Sequence, residues 1–313
     1  MSNSPAPAPG PSRSVRVIPR LDIKGPNLIK GICFDGQRAL GLPEEFAALY
    51  CAEGADELFV YDTVASLLCR PTSVDTVARV ADVVDIPLAV AGGLRSLHDI
   101  RTVLRAGADK VAINTAALHD PDILRQASDV FGAQCVVASI EYFTREGGRR
   151  LVWTEYGREE HAVELDAWID TVISKGVGEI MLTAIDRDGR GIGADLDLVR
   201  RVARRVPVPV IVGGGIGSVA DFVAAADAGA DAIAAASVLH YAKSHPFGRR
   251  YLSWPHARLR VGAPIDSGNI DFVNEGYGAI RAVPVVPCTL LEVKSALAEA
   301  GLRTRHARAV GSA

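Results

Sequence analysis

Two glycine pairs and two carboxylates stand out as the residues able to do chemistry. Gly92-Gly93 and Gly214-Gly215 each follow a short β-branched apolar run and precede a stretch of helical periodicity. In that setting a diglycine lets backbone approach a ligand closely. The helix that follows offers unpaired N–H groups and the positive end of its dipole to an anion. A small hydroxylic residue at a neighbouring strand end joins each pair: Thr115 after Asn114, and Ser237 after Ala236. One such pair alone is ordinarily a turn. Two matched pairs facing one site predict a ligand with a phosphate at each end. Between them fall Asp22 and Glu141, acids that can serve as proton donor and acceptor where their surroundings separate their pKa values. A lone acid after a strand is usually a turn or cap residue, and it is the symmetric recurrence that lifts this pair above that reading. Lys30, in GPNLIKG, is placed to contact a phosphate or cover the site. Asp62, Thr183 and the run Asp186-Arg187-Asp188-Gly189 occupy further strand ends.

An internal repeat explains the recurrence. DIPLAVAGGLRSLHDIRTVLRAGADKVAINT aligns without a gap on VPVPVIVGGGIGSVADFVAAADAGADAIAAAS, pairing Gly92 with Gly214 and Asp109 with Asp231 at an offset of 122. The same offset pairs Glu57 with Glu179, and VIPRLD matches VVASIE so that Asp22 pairs with Glu141. The chain therefore reads as two homologous halves. Strands are predicted at 15–21, 57–61, 87–91, 110–113, 135–140, 179–183, 209–212 and 232–235, with helices such as 43–53, 97–106, 165–175, 196–205 and 219–228 between them. Eight βα units in so short a span predict an α/β fold of the (βα)8 TIM-barrel type, made of two half-barrels, with reacting groups at the carboxyl ends of the strands. The last helix follows Thr289, which with Glu292 forms a capping-box pattern, and stops at Gly301. The expected organisation is a disordered leader at 1–13, one barrel domain over 14–301 and a flexible tail at 302–313. An insertion at 242–287, between the eighth strand and the last helix, is expected to lie over the mouth.

Of the 313 residues, 49% are hydrophobic, ample for a large core, which excludes disorder over most of the length. Lys plus Arg number 34 against 37 Asp plus Glu, a net charge of -3, so no global field attracts nucleic acid or anionic lipid. No stretch reaches the roughly 20 uninterrupted apolar residues of a membrane helix. The expectation is a soluble, cytoplasmic protein. Cys33, Cys51, Cys69, Cys135 and Cys288 form no C-x-x-C pair or zinc-spaced cluster. They read as reduced, mostly buried thiols, without a metal site.

The runs IPRLDIKG, LIKG, EGADEL, AGADKVAIN, FGAQCVVASIE, DRDG, VPVIVGGGIGS and AASVLHY closely resemble the cyclase subunit of imidazole glycerol phosphate synthase, the HisF-type barrel. The likeness covers roughly 15–241 and the last helix. It implies a lyase that takes ammonia from a glutaminase partner and adds it to a bis-phosphorylated ribulosyl aminoimidazole carboxamide. The products are imidazole glycerol phosphate and aminoimidazole carboxamide ribotide, and neither cofactor nor metal is called for. The family's catalytic acids fall on Asp22 and Glu141. Its phosphate contacts fall on Gly92, Asn114 and Thr115 at one end and on Asp188, Gly189, Gly215 and Ser237 at the other. Its mobile-loop lysine falls on Lys30 and a strand-two aspartate on Asp62. An ammonia gate falls on Arg16, Glu57, Lys110 and Glu179, with Asp109 as a partner-facing acid, which places the glutaminase on the N-terminal face of the barrel. A solvated salt-bridge ring is the plainer reading of those four charges.

Three features depart from the family. Glu141 stands where it has Asp, Ala39 and Leu42 stand where it has acids, and the 242–287 insertion carries Asp266, Asn269, Asp271, Asn274 and Glu275. They support an alternative, a paralogue delivering ammonia to another acceptor to make an amidine. A non-catalytic phosphate-binding barrel is a third reading, opposed by the presence of both acids.

Overall fold

The computed structural model describes residues 13–244 and 284–305. In chain order its strands are β1 (Arg16–Lys24), β2 (Asn27–Ile32), β3 (Asp35–Gly41), β4 (Leu58–Asp62), β5 (Leu88–Ala91), β6 (Lys110–Ile113), β7 (Val136–Thr144), β8 (Arg150–Thr154), β9 (Glu159–Glu164), β10 (Glu179–Ala184), β11 (Val210–Gly213) and β12 (Ala232–Ala235). The helices are α1 (Pro43–Ala52), α2 (Val74–Ala81), α3 (Leu97–Arg105), α4 (Thr115–His119), α5 (Asp122–Phe131), α6 (Leu165–Ser174), α7 (Leu196–Ala203), α8 (Val219–Asp227), α9 (Ser237–Ser244) and α10 (Leu290–Glu299). Eight strands, in the order β10-β11-β12-β1-β4-β5-β6-β7, run parallel, and β7 pairs back to β10 to close a (βα)8 barrel.

The period of two along each strand sorts the side chains. On β1, Val17, Leu21 and Ile23 face outward into the layer shared with the helices, where they join Phe46 and Tyr50 of α1. Ile18 faces inward and packs with Phe59, Val137, Met181 and Ile211. The interior is thus a filled core and not a pore.

The twofold repeat is visible in hydrogen bonds. Ser96 accepts from the Asp99 N–H at the start of α3, and Ser218 does the same for Asp221 at the start of α8. The Asp109 carboxylate accepts from the Leu88 N–H and that of Asp231 from Val210, each at 2.9 Å. The capping box expected at Thr289 and Glu292 is formed.

Several expectations need correction. The segment after the first strand, read as a loop, is the hairpin β2–β3, which extends β1 by antiparallel pairing. A second hairpin, β8–β9, grows from β7 in the other half. Helices α2, α4 and α5 belong to βα units that were expected without helix bounds of their own. Of the cysteines only Cys288 is buried, and Cys69 is exposed. Of the expected 242–287 insertion, residues 245–283 lie outside the described residues, as do the termini at 1–12 and 306–313. The described start of the tail is bonded: the Arg303 N–H donates to the Arg13 carbonyl, and the Arg305 N–H to Asp56.

Candidate active site

The inward face of β1 reads Arg16, Ile18, Arg20, Asp22 from bottom to top, so one strand supplies both ends of the site. Near the amino ends of the strands, Arg16 donates to Glu57 at 2.5 Å and to Glu179 at 2.8 Å, while Lys110 reaches the same two acids at 3.0 and 2.8 Å. The four charges expected to form a gate are thus one closed ring across the barrel floor. These partners hold the Glu179 carboxyl below its ordinary pKa against the opposing, largest effect of burial.

At the carboxyl ends, Asp22 and Glu141 are both fully buried. Asp22 accepts from Arg20 Nε at 2.6 Å and from the Tyr156 hydroxyl at 3.3 Å, and Lys30 Nζ lies 3.7 Å from its second oxygen. Lys30 is bonded in turn to Asp188, which also pairs with Arg20 at 3.7 Å. Glu141 accepts from the Tyr61 hydroxyl through one oxygen and from the Gly157 N–H, at 3.0 Å, through the other. Burial pushes its carboxyl up to about 7, outweighing the lowering effect of Tyr61, Arg20 and Gly157.

The two acids therefore share one cluster, but side chains fill the space between them. Phe34, from the tip of β2–β3, stacks on Tyr156, from the tip of β8–β9, with centroids 4.1 Å apart. Tyr61 meets Tyr156 edge-on at 5.4 Å, and the Arg20 guanidinium lies 5.2 Å from the Phe34 ring and 5.4 Å from that of Tyr61. Among the described residues, the five with positive φ other than glycine, Cys33, Phe34, Cys69, Glu155 and Tyr156, lie at this mouth. A left-handed backbone costs a side-chain-bearing residue roughly 1–2 kcal/mol, more than an aromatic stack adds at about 0.5–1.5 kcal/mol, so burial of both rings must help hold the tips. Strain of this kind gathers where function needs a fixed geometry.

The diglycine turns flank the cluster. A cavity of about 350 Å³ opens at the first, lined by Gly92, Gly93, Asn114 and Thr115 together with Tyr61 and Glu155. At the second, Asp188, Gly189, Gly214, Gly215, Ala236 and Ser237 line a cleft of about 10 Å³ with Arg20. That is room for about one water. Packing also demands these glycines: a Cβ on Gly92 would lie 2.2 Å from the Asp62 carbonyl oxygen, and one on Gly215 2.1 Å from that of Gly193.

Two expected residues stand apart. Asp62 is taken up by its own loop, accepting from the N–H groups of Val64, Ala65 and Ser73 and from both Arg70 terminal nitrogens. Thr183 is buried on β10 beside Glu141 in register and lines neither cavity. Sequence reasoning missed Arg20, Phe34, Tyr61 and Tyr156. Alternation held the signal for two of them, since Arg20 shares the Asp22 face and Tyr61 the Glu57 face. For Tyr156 the local mark was only Gly157, a turn residue between β8 and β9. Beneath Arg20, His240 Nε2 bonds to the Arg20 carbonyl at 2.9 Å and its Nδ1 to the Tyr50 hydroxyl at 2.6 Å. Burial drives the imidazole down to about 3, so it stays neutral and braces the strand.

The family model described as histidine biosynthesis protein matches residues 16–245. The imidazole glycerol phosphate synthase subunit HisF of Frankia casuarinae is 46% identical over 233 residues, covering 74% of this chain and 92% of the relative. Those of Legionella pneumophila and Pyrobaculum aerophilum are 48% and 46% identical, covering 67% and 79% of this chain and 99% of each relative. The chain belongs to the HisF family. It is an enzyme of histidine biosynthesis, of the cyclase type, and because HisF is one subunit of a synthase the family works with a second subunit. Among the described residues no helix is long and apolar enough to cross a membrane, and no group of three or more His, Cys, Asp or Glu is placed to hold a metal.

Proposed function

We propose that this HisF-family chain is the lyase that closes the imidazole ring. It adds ammonia to a bis-phosphorylated ribulosyl aminoimidazole carboxamide and releases imidazole glycerol phosphate and aminoimidazole carboxamide ribotide. The observation that carries the reading is the joint burial of Asp22 and Glu141 in one cluster, flanked by two diglycine cradles. The diglycine turns and the helix starts at Thr115 and Ser237 would take the phosphates, the larger cavity seating the first. The Phe34–Tyr156 stack must part for the chain of the substrate to pass between the acids.

The surroundings divide the acids' labour. Glu141, at about 7, is poised to give or take a proton at neutral pH. Asp22, held by Arg20 and Tyr156 with Lys30 nearby, is the acid that orients the reacting amine. Below them, the ring of Arg16, Glu57, Lys110 and Glu179 would gate ammonia from a glutaminase docked on the N-terminal face, where Asp109 also lies. The activity named for the relatives supports this acceptor over another one.

The test is to supply the ribulosyl substrate and an ammonium salt at high pH and to look for imidazole glycerol phosphate. Asp22→Asn should abolish turnover while phosphate binding persists. Turnover at the wild-type rate in that variant would reject the assignment.

A further inference from the structure

Arg20 is an arginine inside a barrel, only 2% exposed, two residues before an acid on the same face. Its Nε is committed to Asp22, and its Nη1 is the nitrogen nearest Asp188, at 3.7 Å. Its Nη2 has no hydrogen-bond partner among the described residues. Phe34 and Tyr61 cover the guanidinium with their rings, and the same side chain lines the cleft formed by Gly189, Gly214, Gly215 and Ser237. A buried guanidinium N–H without an acceptor is costly, and the planar fork of arginine suits the paired oxygens of a phosphate.

The net charge of the neighbourhood points the same way. Asp188, the acid that lines the cleft, and Asp22 beside it are matched by Arg20 and Lys30. An arriving phosphate meets spare N–H donors and not a bare carboxylate. His240 and Tyr50 hold the Arg20 backbone from behind, so the guanidinium is carried on a rigid strand.

We infer that Arg20 is a substrate-binding residue, donating from Nη2 to a phosphate-monoester oxygen at the second diglycine cradle while its Nε holds Asp22. One planar group then ties the seating of the distal phosphate to the orientation of a catalytic acid. The inference rests on the two-phosphate reading above and adds to it a cationic residue that contacts the ligand.

Inorganic phosphate is the first probe, titrated by calorimetry against wild type, Arg20→Lys and Arg20→Gln, with circular dichroism to establish that each is folded. Wild type should bind at two sites. Arg20→Gln should lose one of them, with affinity down at least tenfold, and Arg20→Lys should fall between because it keeps the charge without the fork. With the bis-phosphorylated substrate, KM should rise at least tenfold in Arg20→Gln, and by more than kcat falls. Should either variant fail to fold, the guanidinium nitrogen resonances of Arg20 in wild type decide the matter: they shift on phosphate addition if the group contacts the ligand. Phosphate affinity within twofold of wild type in a folded variant, or unmoved resonances, overturns the inference. Phosphate binding that depends on Arg20, without turnover by wild type, retains this contact and rejects the cyclase reading. Turnover indifferent to Arg20 does the reverse.

Discussion

Replacing Glu141 by Gln should make the folded protein more stable above neutral pH while disabling it. The carboxyl is raised from 4.5 to about 7 by burial, whereas in the unfolded chain it ionises near its ordinary value. Below about pH 4.5 both states hold the proton and ionisation costs the fold nothing. Between about 4.5 and 7 the unfolded chain has lost its proton and the folded one keeps it, so stability declines as pH rises, and above about 7 the loss is complete. At about 1.36 kcal/mol per pH unit the full effect is roughly 3 kcal/mol. Gln cannot ionise and escapes this loss. Its carbonyl can accept from the Gly157 N–H, and its amide can donate to the Tyr61 hydroxyl once that group turns, so both partners of the wild-type carboxylate remain satisfied. Urea unfolding of both chains from about pH 4.5 to pH 8 measures the difference, and the other titrating groups largely cancel. The variant should match wild type at the acid end and gain up to about 3 kcal/mol at the alkaline end. A difference that stays flat across this range would refute the placement of an ionisable group in so dry a site.

Three further outcomes follow from the same geometry. Tyr61→Phe removes a donor that lowers the Glu141 pKa. If Glu141 acts as proton donor, the fall of kcat above neutral pH should move about one pH unit higher, as a hydrogen bond of roughly 1.5 kcal/mol to a charged group requires, and a pH–rate profile reads it. Breaking the floor ring with Lys110→Ala should alter turnover driven by glutamine and the partner subunit more than turnover driven by ammonium salt, a ratio obtained from parallel assays. Gly215→Ala places a Cβ against the Gly193 carbonyl at positive φ, so thermal unfolding should show a loss of a few kcal/mol.

The duplicated pattern was legible because it is local and periodic. An offset of 122 aligned the diglycines, and apolar runs marked all eight barrel strands, although β1 and β7 run on past their expected ends to Lys24 and Thr144. The floor ring came from the resemblance to the family, and the repeat by itself paired only Glu57 with Glu179. The hairpins were not legible, because Asp35–Gly41 and Arg150–Thr154 lack the apolar alternation of a half-buried strand and draw their stability from pairing with strands already in the barrel.

The amino-acid order by itself determined the barrel, its twofold origin and the two acids, because covalent spacing fixes which side chains share a strand face. Only the tertiary structure decided what those acids touch. Tyr156 meets Asp22 across 134 positions, Tyr61 meets Glu141 across 80, and Lys30 meets Asp188 across 158. Such contacts arise when the cylinder closes and excludes water, and it is that exclusion, not the identity of the residue, that lifts Glu141 to about 7 and leaves a nitrogen of Arg20 without an acceptor.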